Sequence, residues 1–511
     1  VDALVSRRRR WTWRLLDAVS TRLAGSHLDL GLVPGDRIAS LMPNRTELLV
    51  HYLACMKCGL AAVPLNYRYM APEIDHALAV SGARILLTHD ERRQDLTGSK
   101  LAGKLPLGMI GHSDEGGDED LTFSSLSEGE PTRDFAPPKP EDPAILFFTS
   151  GSTGRPKGVC HSFATLGWII ASAVRSFEMG PDDIMLPGGS AAHVGGHHLS
   201  LMTFAAAGRV VLARTFDGEE LLPLLRAERP TKLWMLPSVL YALVRDHGAR
   251  STDFASVKAC FSGGDKVSKA LEAEFSALAG IAIDEDYGMT EIGIPAVTPP
   301  RSPKDGSVGP LAPGYEASLR DTDGREVESG REGRLWIKFP GNMVAYWNNP
   351  EATAATLVDG WLDTGDVMRV DADGYLWFCG RQKQIIIHDG SNICPQEVEA
   401  ALLEHAAVAS AGVVGVRSPL HSESVRAYVV LEAGAPPLTM QDLIRFARAR
   451  VGYKAPEEII VLEEMPLNAT GKVDRVTLKR MAENGLGTVA PSASDRGADQ
   501  CSVLPAGGVR P

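Results

Sequence analysis

No stretch of the 511-residue chain comes near the ~18–20 uninterrupted apolar residues of a membrane span, so no integral membrane contact is expected. No secretory apolar core opens it, and Val1 in place of Met leads us to expect a missing N-terminal piece. Excess positive charge is lacking too: 52 Lys and Arg stand against 64 Asp and Glu, a net charge of −12. That balance disfavours nucleic acid and anionic membrane surfaces as partners. A chain this acidic that handles a polyanion must gather its positive charge locally. Cysteine is sparse, with seven residues scattered along the chain. An odd, dispersed set argues against a disulfide framework and for reduced thiols in a cytoplasmic setting. Cys55 and Cys58 form a C-x-x-C, but it lies inside the apolar run HYLACMKCGLAAVPL and is read as helix packing. Arg7 to Arg10, with Trp11 and Trp13, read as a solvated approach to a helix. No internal repeat is visible.

What is present is an ordinary globular composition, 44% apolar and 23% charged, in a chain too long for one compact core. Up to about Pro140, helical periodicity alternates with short β-type runs such as Arg37 to Met42 and Arg84 to Thr88, which predicts α/β with largely parallel sheets. Asp90 to Pro140 reads as a long polar surface connection. Ala144 to Thr149 (AILFFT) is a buried strand, and α/β alternation resumes over Ile184 to Ala296. Beyond Gly306 crowded turn signals predict a β-rich subdomain. From about Gly380 a small α+β unit follows: helices over Gln396 to His405 and Met440 to Val451, strands over Val408 to Val416, Tyr428 to Leu431 and Ile459 to Leu462. The expected domains are 1–380 and 385–482, joined by a hinge at 381–384. The tail over 483–511 is rich in breakers and expected to be disordered.

The chemistry concentrates first in FFTSGSTGRPKGV, Phe147 to Val159. A buried strand ends in Thr149, Ser150, Gly151, Ser152, Thr153 and Gly154, and Lys157 follows. Small residues let backbone N–H groups turn inward around phosphate oxygens, hydroxyls add donors and the lysine adds a point charge. The spacing is not that of a Walker A loop. Tyr287 to Glu291 (YGMTE) sets a hydroxyl beside a carboxylate, which suits a magnesium–triphosphate, since Thr290 can donate to phosphate and Glu291 can hold the metal; taken alone, the pentapeptide fits a helix cap equally well. Trp361 to Asp366 (WLDTGD) is a turn presenting an acid at a strand end.

Taken with GRQKQIIIHDGSNICPQEVE (Gly380 to Glu399) and PLNATGKVDR (Pro466 to Arg475), these blocks resemble the adenylate-forming superfamily. That group contains acyl-CoA synthetases, peptide-synthetase adenylation domains and firefly-type luciferases. The resemblance runs from about Arg10 to Met481, and the blocks recur in the family's order. It implies an AMP-forming acyl-CoA ligase that uses ATP, Mg²⁺ and coenzyme A on a small carboxylic acid. Thr149 to Gly154 and Lys157 would hold phosphate, with Thr153 and Glu291 at the metal. Gly263, Gly264, Asp265, Asp286, Tyr287, Gly288, Met289 and Phe378 would line the nucleotide, and Asp366 and Arg381 would take the ribose. Lys383 occupies the hinge position. Lys472 resembles the lysine that reaches the substrate carboxylate and α-phosphate, in a spacing that also resembles a target of reversible lysine acylation. His193 resembles the residue between acyl pocket and thiol tunnel. His197, Trp234, Asp286 and Ile292 are the expected acyl-pocket residues, with His198 as polar lining and Pro237 and Ser238 as further walls. Asp286 departs from the small residue common at its place, and a hydrogen-bonding acid fits it if it faces the acyl group. Carrier-protein loading is the main alternative, ahead of a luciferase-like oxygenase or a non-catalytic nucleotide binder, and a homodimer is compatible with the family.

Overall fold

The computed structural model describes residues 1–114, 121–129, 134–149, 156–300, 304, 306–384, 386–388, 391–418, 422–468 and 471–484. Its architecture is mixed α/β, with two parallel-rich sheets, a β-rich sheet and a C-terminal α+β unit.

The first sheet has eight strands, in the order Gly293–Val297, Ile283–Met289, Ala259–Gly263, Lys232–Met235, Ile184–Gly188, Arg209–Val211, Asp2–Val5 and Arg10–Thr12. The second has seven: Ala345–Tyr346, Lys157–Ser162, Pro143–Thr149, Ala61–Pro64, Arg37–Leu41, Ile85–His89 and Met109–His112. Central strands such as AAVP and ILLTH are buried along their whole length, as parallel strands covered on both faces must be. Helices Trp13–Asp29, Thr46–Lys57, Phe163–Ser176 and Val194–Ala205 bring Leu16, Leu23, Tyr52, Leu166 and Met202 into one core with residues of both sheets, so the two sheets share it.

The β-rich sheet is built on Trp361–Val370, which pairs antiparallel with Glu332–Lys338 and Leu376–Arg381. In the C-terminal unit Val408–Ser418 and Ser422–Leu431 form a long antiparallel pair, with Glu458–Val461 parallel to the latter. Helices Pro395–Leu403 and Met440–Val451 cover one face through Val398, Leu402, Leu443 and Ala447.

Two expectations are corrected. The span Asp90 to Pro140 is not only connection: Met109–His112 adds an edge strand parallel to Ile85–His89, and Phe123–Ser127 is a short helix with Phe123 buried. The strand expected at Tyr428 begins at Ser422, because a hairpin partner of matching length extends it. Arg7 to Arg10 stay half-exposed and lead into helix Trp13–Asp29, as expected, but their charges are also paired. Arg10–Thr12 is a strand, and the four arginines pair in turn with Glu220, Asp114, Glu47, and both Asp2 and Glu228. The tail expected to be disordered lies, from residue 485 on, outside the described residues.

Candidate active site

Strands Lys232–Met235, Ala259–Gly263 and Ile283–Met289 run parallel, and their C-terminal ends form an edge where open α/β sheets bind ligands. The other site elements meet there.

Pro143–Thr149 and Lys157–Ser162 are antiparallel with Thr149 opposite Lys157, so the glycine-rich segment is the turn between them. Ser150, Gly151, Ser152, Thr153 and Gly154 lie outside the described residues. Ser162 then caps helix Phe163–Ser176 through the Thr165 N–H, which fixes the strand's exit. The Lys157 ammonium stands 4.3 Å from the centre of the Tyr346 ring. Tyr346 in turn donates from Oη to Glu291 Oε1 at 2.9 Å. Burial raises the Glu291 carboxyl, opposed by the Tyr346 hydrogen bond and by the charges of Arg381 and Lys157. The Thr290 carbonyl accepts from His161 Nε2 at 2.8 Å, and burial lowers that imidazole to about 4.

A second cluster forms around Asp366, which is fully buried. The hairpin joining Trp361–Val370 to Leu376–Arg381 turns at Asp371–Tyr375 with Gly374 at φ +82°, and its register sets Asp366 opposite Arg381. Arg381 Nε lies 2.9 Å from Asp366 Oδ1 as an ion pair without hydrogen-bonding alignment. Tyr287 donates from Oη to Oδ2 at 2.6 Å. Oδ1 therefore keeps accepting capacity. Burial raises the Asp366 carboxyl, and Arg381 is the largest opposing influence. The Phe378 ring lies 6.4 Å from that of Tyr287, tilted by 33°.

Lys472 arrives from the C-terminal unit on a turn closed by Asn468, whose N–H donates to the Lys472 carbonyl at 2.7 Å and whose side chain accepts from the Lys472 N–H at 3.1 Å. A Cβ placed on Gly264 (φ +83°) would meet Lys472 Nζ at 3.8 Å, so the ammonium reaches the residue that follows strand Ala259–Gly263. Burial lowers the Lys472 pKa, with Asp265 and then Asp366 opposing. A crevice of about 90 Å³ lies between Leu236, Pro237, Ser238, Asp265 and Lys472. Behind it the C-terminal unit is tied down at Glu432, which accepts from Tyr241 Oη at 2.8 Å and pairs with Arg245.

The expected acyl-pocket residues divide. Asp286 is buried, its carboxyl group standing over Gly263, where a Cβ would come within 2.5 Å of Oδ2. Trp234 Nε1 donates to Asp286 Oδ1 at 2.7 Å, and burial pushes the carboxyl up to about 7. The indole lies against Gly189 and Gly195, leaving 3.3 Å from its Cζ3 to a Cβ at Gly189. His193 is the exposed residue that precedes helix Val194–Ala205, and desolvation of its imidazole by the surrounding protein, with the charge of Lys472, lowers it to about 4. His197 and His198 instead pack in the core: His197 meets Tyr52 and Phe147 edge-on, and neither His198 nitrogen has a hydrogen bond. Ile292 is fully buried beside Tyr287 and Tyr315.

Gly288 is exposed and Met289 half-buried between Tyr287 and Thr290. Tyr346 carries no local signal. The pairing of Ala345–Tyr346 with Lys157–Ser162, together with the Met343 N–H donating to the Glu291 carbonyl at 2.7 Å, brings it to Lys157 and Glu291.

Comparison with known proteins gives the class. A family model for AMP-binding enzymes matches residues 1–347, and one for the AMP-binding enzyme C-terminal domain matches residues 397–472. The chain belongs to the AMP-binding enzyme family. The feruloyl-CoA synthase of an Amycolatopsis species is 32% identical over 92% of this chain and 93% of its own. The fatty acid–[acyl-carrier-protein] ligase ScoC of Streptomyces coeruleorubidus is also 32% identical, over 93% of this chain and 92% of its own. ATP-bound MatB from Rhodopseudomonas palustris superposes with a TM-score of 0.87 at 27% identity, covering 94% of this chain and 95% of that one. The apo form of the same protein gives 0.78. The present arrangement is thus nearer the ATP-bound one.

Proposed function

We propose that this AMP-forming acyl-CoA ligase activates a compact carboxylic acid bearing a hydrogen-bond donor, with ATP and coenzyme A as its other substrates. One observation carries the reading: Lys472, from the C-terminal unit, stands at Gly264 in the cleft that holds the Asp366–Arg381–Tyr287 cluster. A basic group and a ribose-type acceptor converge there.

A carboxylate is a poor electrophile. Attack of its oxygen on the α-phosphorus of ATP makes a mixed anhydride and expels pyrophosphate, and the protein's task is chiefly positioning and charge. Lys472 neutralises the reacting oxygens, Lys157 and the Thr290 hydroxyl hold phosphate, and Asp366 accepts from the ribose hydroxyls. Glu291 fits Mg²⁺, because burial disfavours its free anion and a hard divalent ion bound to oxygen offsets that cost. Such an ion, when bound, neutralises charge on the triphosphate. Pyrophosphate release over a panel of acids, with and without coenzyme A, tests the reading; no release with any acid would sink it.

The acid class rests on Asp286 and Trp234. Their hydrogen-bonded pair forms a polar end to the site, which favours a hydroxyl- or amino-bearing acid over a plain alkyl chain. Asp286→Asn is expected to lower kcat/KM for such acids by roughly 10–100-fold and to leave unsubstituted isosteres little changed. The same substitution has a stability signature. The folded protein holds the Asp286 proton more tightly than the unfolded chain, from 3.8 up to about 7. Its stabilising contribution is whole below about pH 4 and is lost as pH rises through 7. Relative to wild type, Asp286→Asn should gain thermal stability at pH 8 and lose most of that gain by pH 5. Parallel melting curves at the two values would refute the buried-carboxyl assignment.

The unit over 385–482 rotates, on this reading, about a hinge at 381–384, carrying Lys472 away so that the thiol of coenzyme A can enter. Gln382–Gln384 is a single 3₁₀ turn directly after the Arg381 strand, a short connection suited to that role. Lys383→Pro should slow thioester formation by more than tenfold, with adenylation slowed less, in single-turnover experiments. An unchanged thioester rate argues against the hinge. A second reading, loading of a carrier protein, is favoured by the likeness to ScoC. Substituting a phosphopantetheinylated carrier for coenzyme A in the panel separates the two.

A further inference from the structure

Outside the cleft, three side chains meet in the core shared by the two large sheets. His27 comes from helix Trp13–Asp29, and His51 and Cys55 sit on successive turns of helix Thr46–Lys57. Cys55 Sγ lies 3.7 Å from His51 Nε2, and the rings of His27 and His51 are 5.8 Å apart at 82°. One ligand atom from each residue lies within 4.8 Å of the other two. His51 and Cys55 have no exposed surface and His27 has 1%. Neither ring nitrogen of His27 has a hydrogen-bond partner. A neutral imidazole carries one N–H and one lone pair, and leaving such groups unpaired in a core is unfavourable. Something that binds nitrogen lone pairs would offset part of this cost.

We propose that His27, His51 and Cys55 form a binding site for one copper(I) ion. Two imidazoles and a thiolate are borderline-to-soft ligands, and copper(I) accepts three of them, whereas structural zinc takes four. Charge decides in the same direction. As the Cu–S bond forms, the Cys55 S–H bond releases its proton to solvent, so one monovalent cation replaces another and the core gains no net charge. A divalent ion would leave one uncompensated positive charge in an apolar setting, which burial strongly disfavours. Among the described residues no carboxylate belongs to this cluster to balance it. Cys58 is engaged elsewhere, donating to the Ala54 carbonyl at 3.2 Å. The other such grouping, His89, His112 and Asp114, is already served by a cation, since Arg45 lies 2.6 Å from Asp114.

The test uses full-length protein expressed in copper-supplemented medium and dialysed anaerobically against a copper(I) chelator. Elemental analysis should find about one copper per chain, and X-ray absorption should show a cuprous edge with sulfur and nitrogen neighbours. Cys55→Val and His27→Leu should each lose the metal while ATP–pyrophosphate exchange persists as a control for folding, and Cys58→Ala should keep it. Wild-type protein free of copper after dialysis, zinc held in its place, or copper retained by Cys55→Val would each overturn the proposal. The wild-type metal content and spectrum need no variant, so a substitution that fails to fold leaves the test decisive.

Discussion

Lys472→Ala is expected to slow acyl-adenylate formation by about 10²–10³-fold, the usual cost of removing one preorganised charge-stabilising donor. Thioester formation from preformed acyl-adenylate should stay within a few-fold of wild type. The asymmetry follows from where the lysine sits. Its turn, closed by Asn468, belongs to the C-terminal unit, and its ammonium reaches Gly264, which follows strand Ala259–Gly263, in an arrangement nearer to ATP-bound than to apo MatB. Burial in this position lowers its pKa, with the charges of Asp265 and Asp366 opposing the effect. The contacts that hold the unit here, Tyr241 and Arg245 on Glu432, lie away from the lysine and are untouched by the substitution. A misplaced domain therefore does not explain the expected loss. Measuring pyrophosphate exchange and adenylate consumption separately checks it; equal losses in both would remove Lys472 from the adenylation step.

How far the sequence foretells this site depends on how local each signal is. The strand at Ala144 to Thr149 and Lys157 behind it are legible because an uninterrupted apolar run leads into small residues and a cation. Asp366 and Arg381 could each be named, but their pairing depends on hairpin register, set by a turn at Asp371–Tyr375 that neither residue touches. Tyr346 is not legible, since a two-residue strand pairing with Val159 and a backbone hydrogen bond from Met343 to Glu291 bring it to that carboxylate. Met109–His112 was missed for a related reason: a four-residue edge strand in polar surroundings has too little periodicity to read. The partners of Arg7 to Arg10 are not legible because the acids come from distant segments. The run is half-exposed, as its composition suggests, while Glu47 and Glu228 hold it from buried positions. His27 likewise reaches Cys55 only through helix packing, so a C-x-x-C with no nearby second half gives no metal signal.

Asp366→Asn should reduce kcat/KM for ATP by about 10²–10³-fold, since hydrogen bonds to a charged acceptor contribute roughly 1.5–3 kcal/mol each and two ribose hydroxyls are involved. The amide keeps the side chain's shape and can still accept from Tyr287. Its NH₂ group, however, either faces the Arg381 guanidinium or turns toward the ribose, and in both positions it replaces an acceptor by a donor. Stability should change far less than activity. Breaking a buried ion pair commonly costs about 3–5 kcal/mol when a charge is stranded in the interior, but the Arg381 side chain is 51% exposed and can recover hydration. Burial, moreover, already raises the Asp366 carboxyl, so losing its charge removes a desolvation cost along with the attraction. The variant should therefore melt near wild type without nucleotide and lose most of the rise in melting temperature that ATP gives the wild type. A wild-type KM for ATP in folded Asp366→Asn protein would place the ribose elsewhere. A large loss of stability with the ATP effect intact would make this cluster a structural pair and not a nucleotide contact.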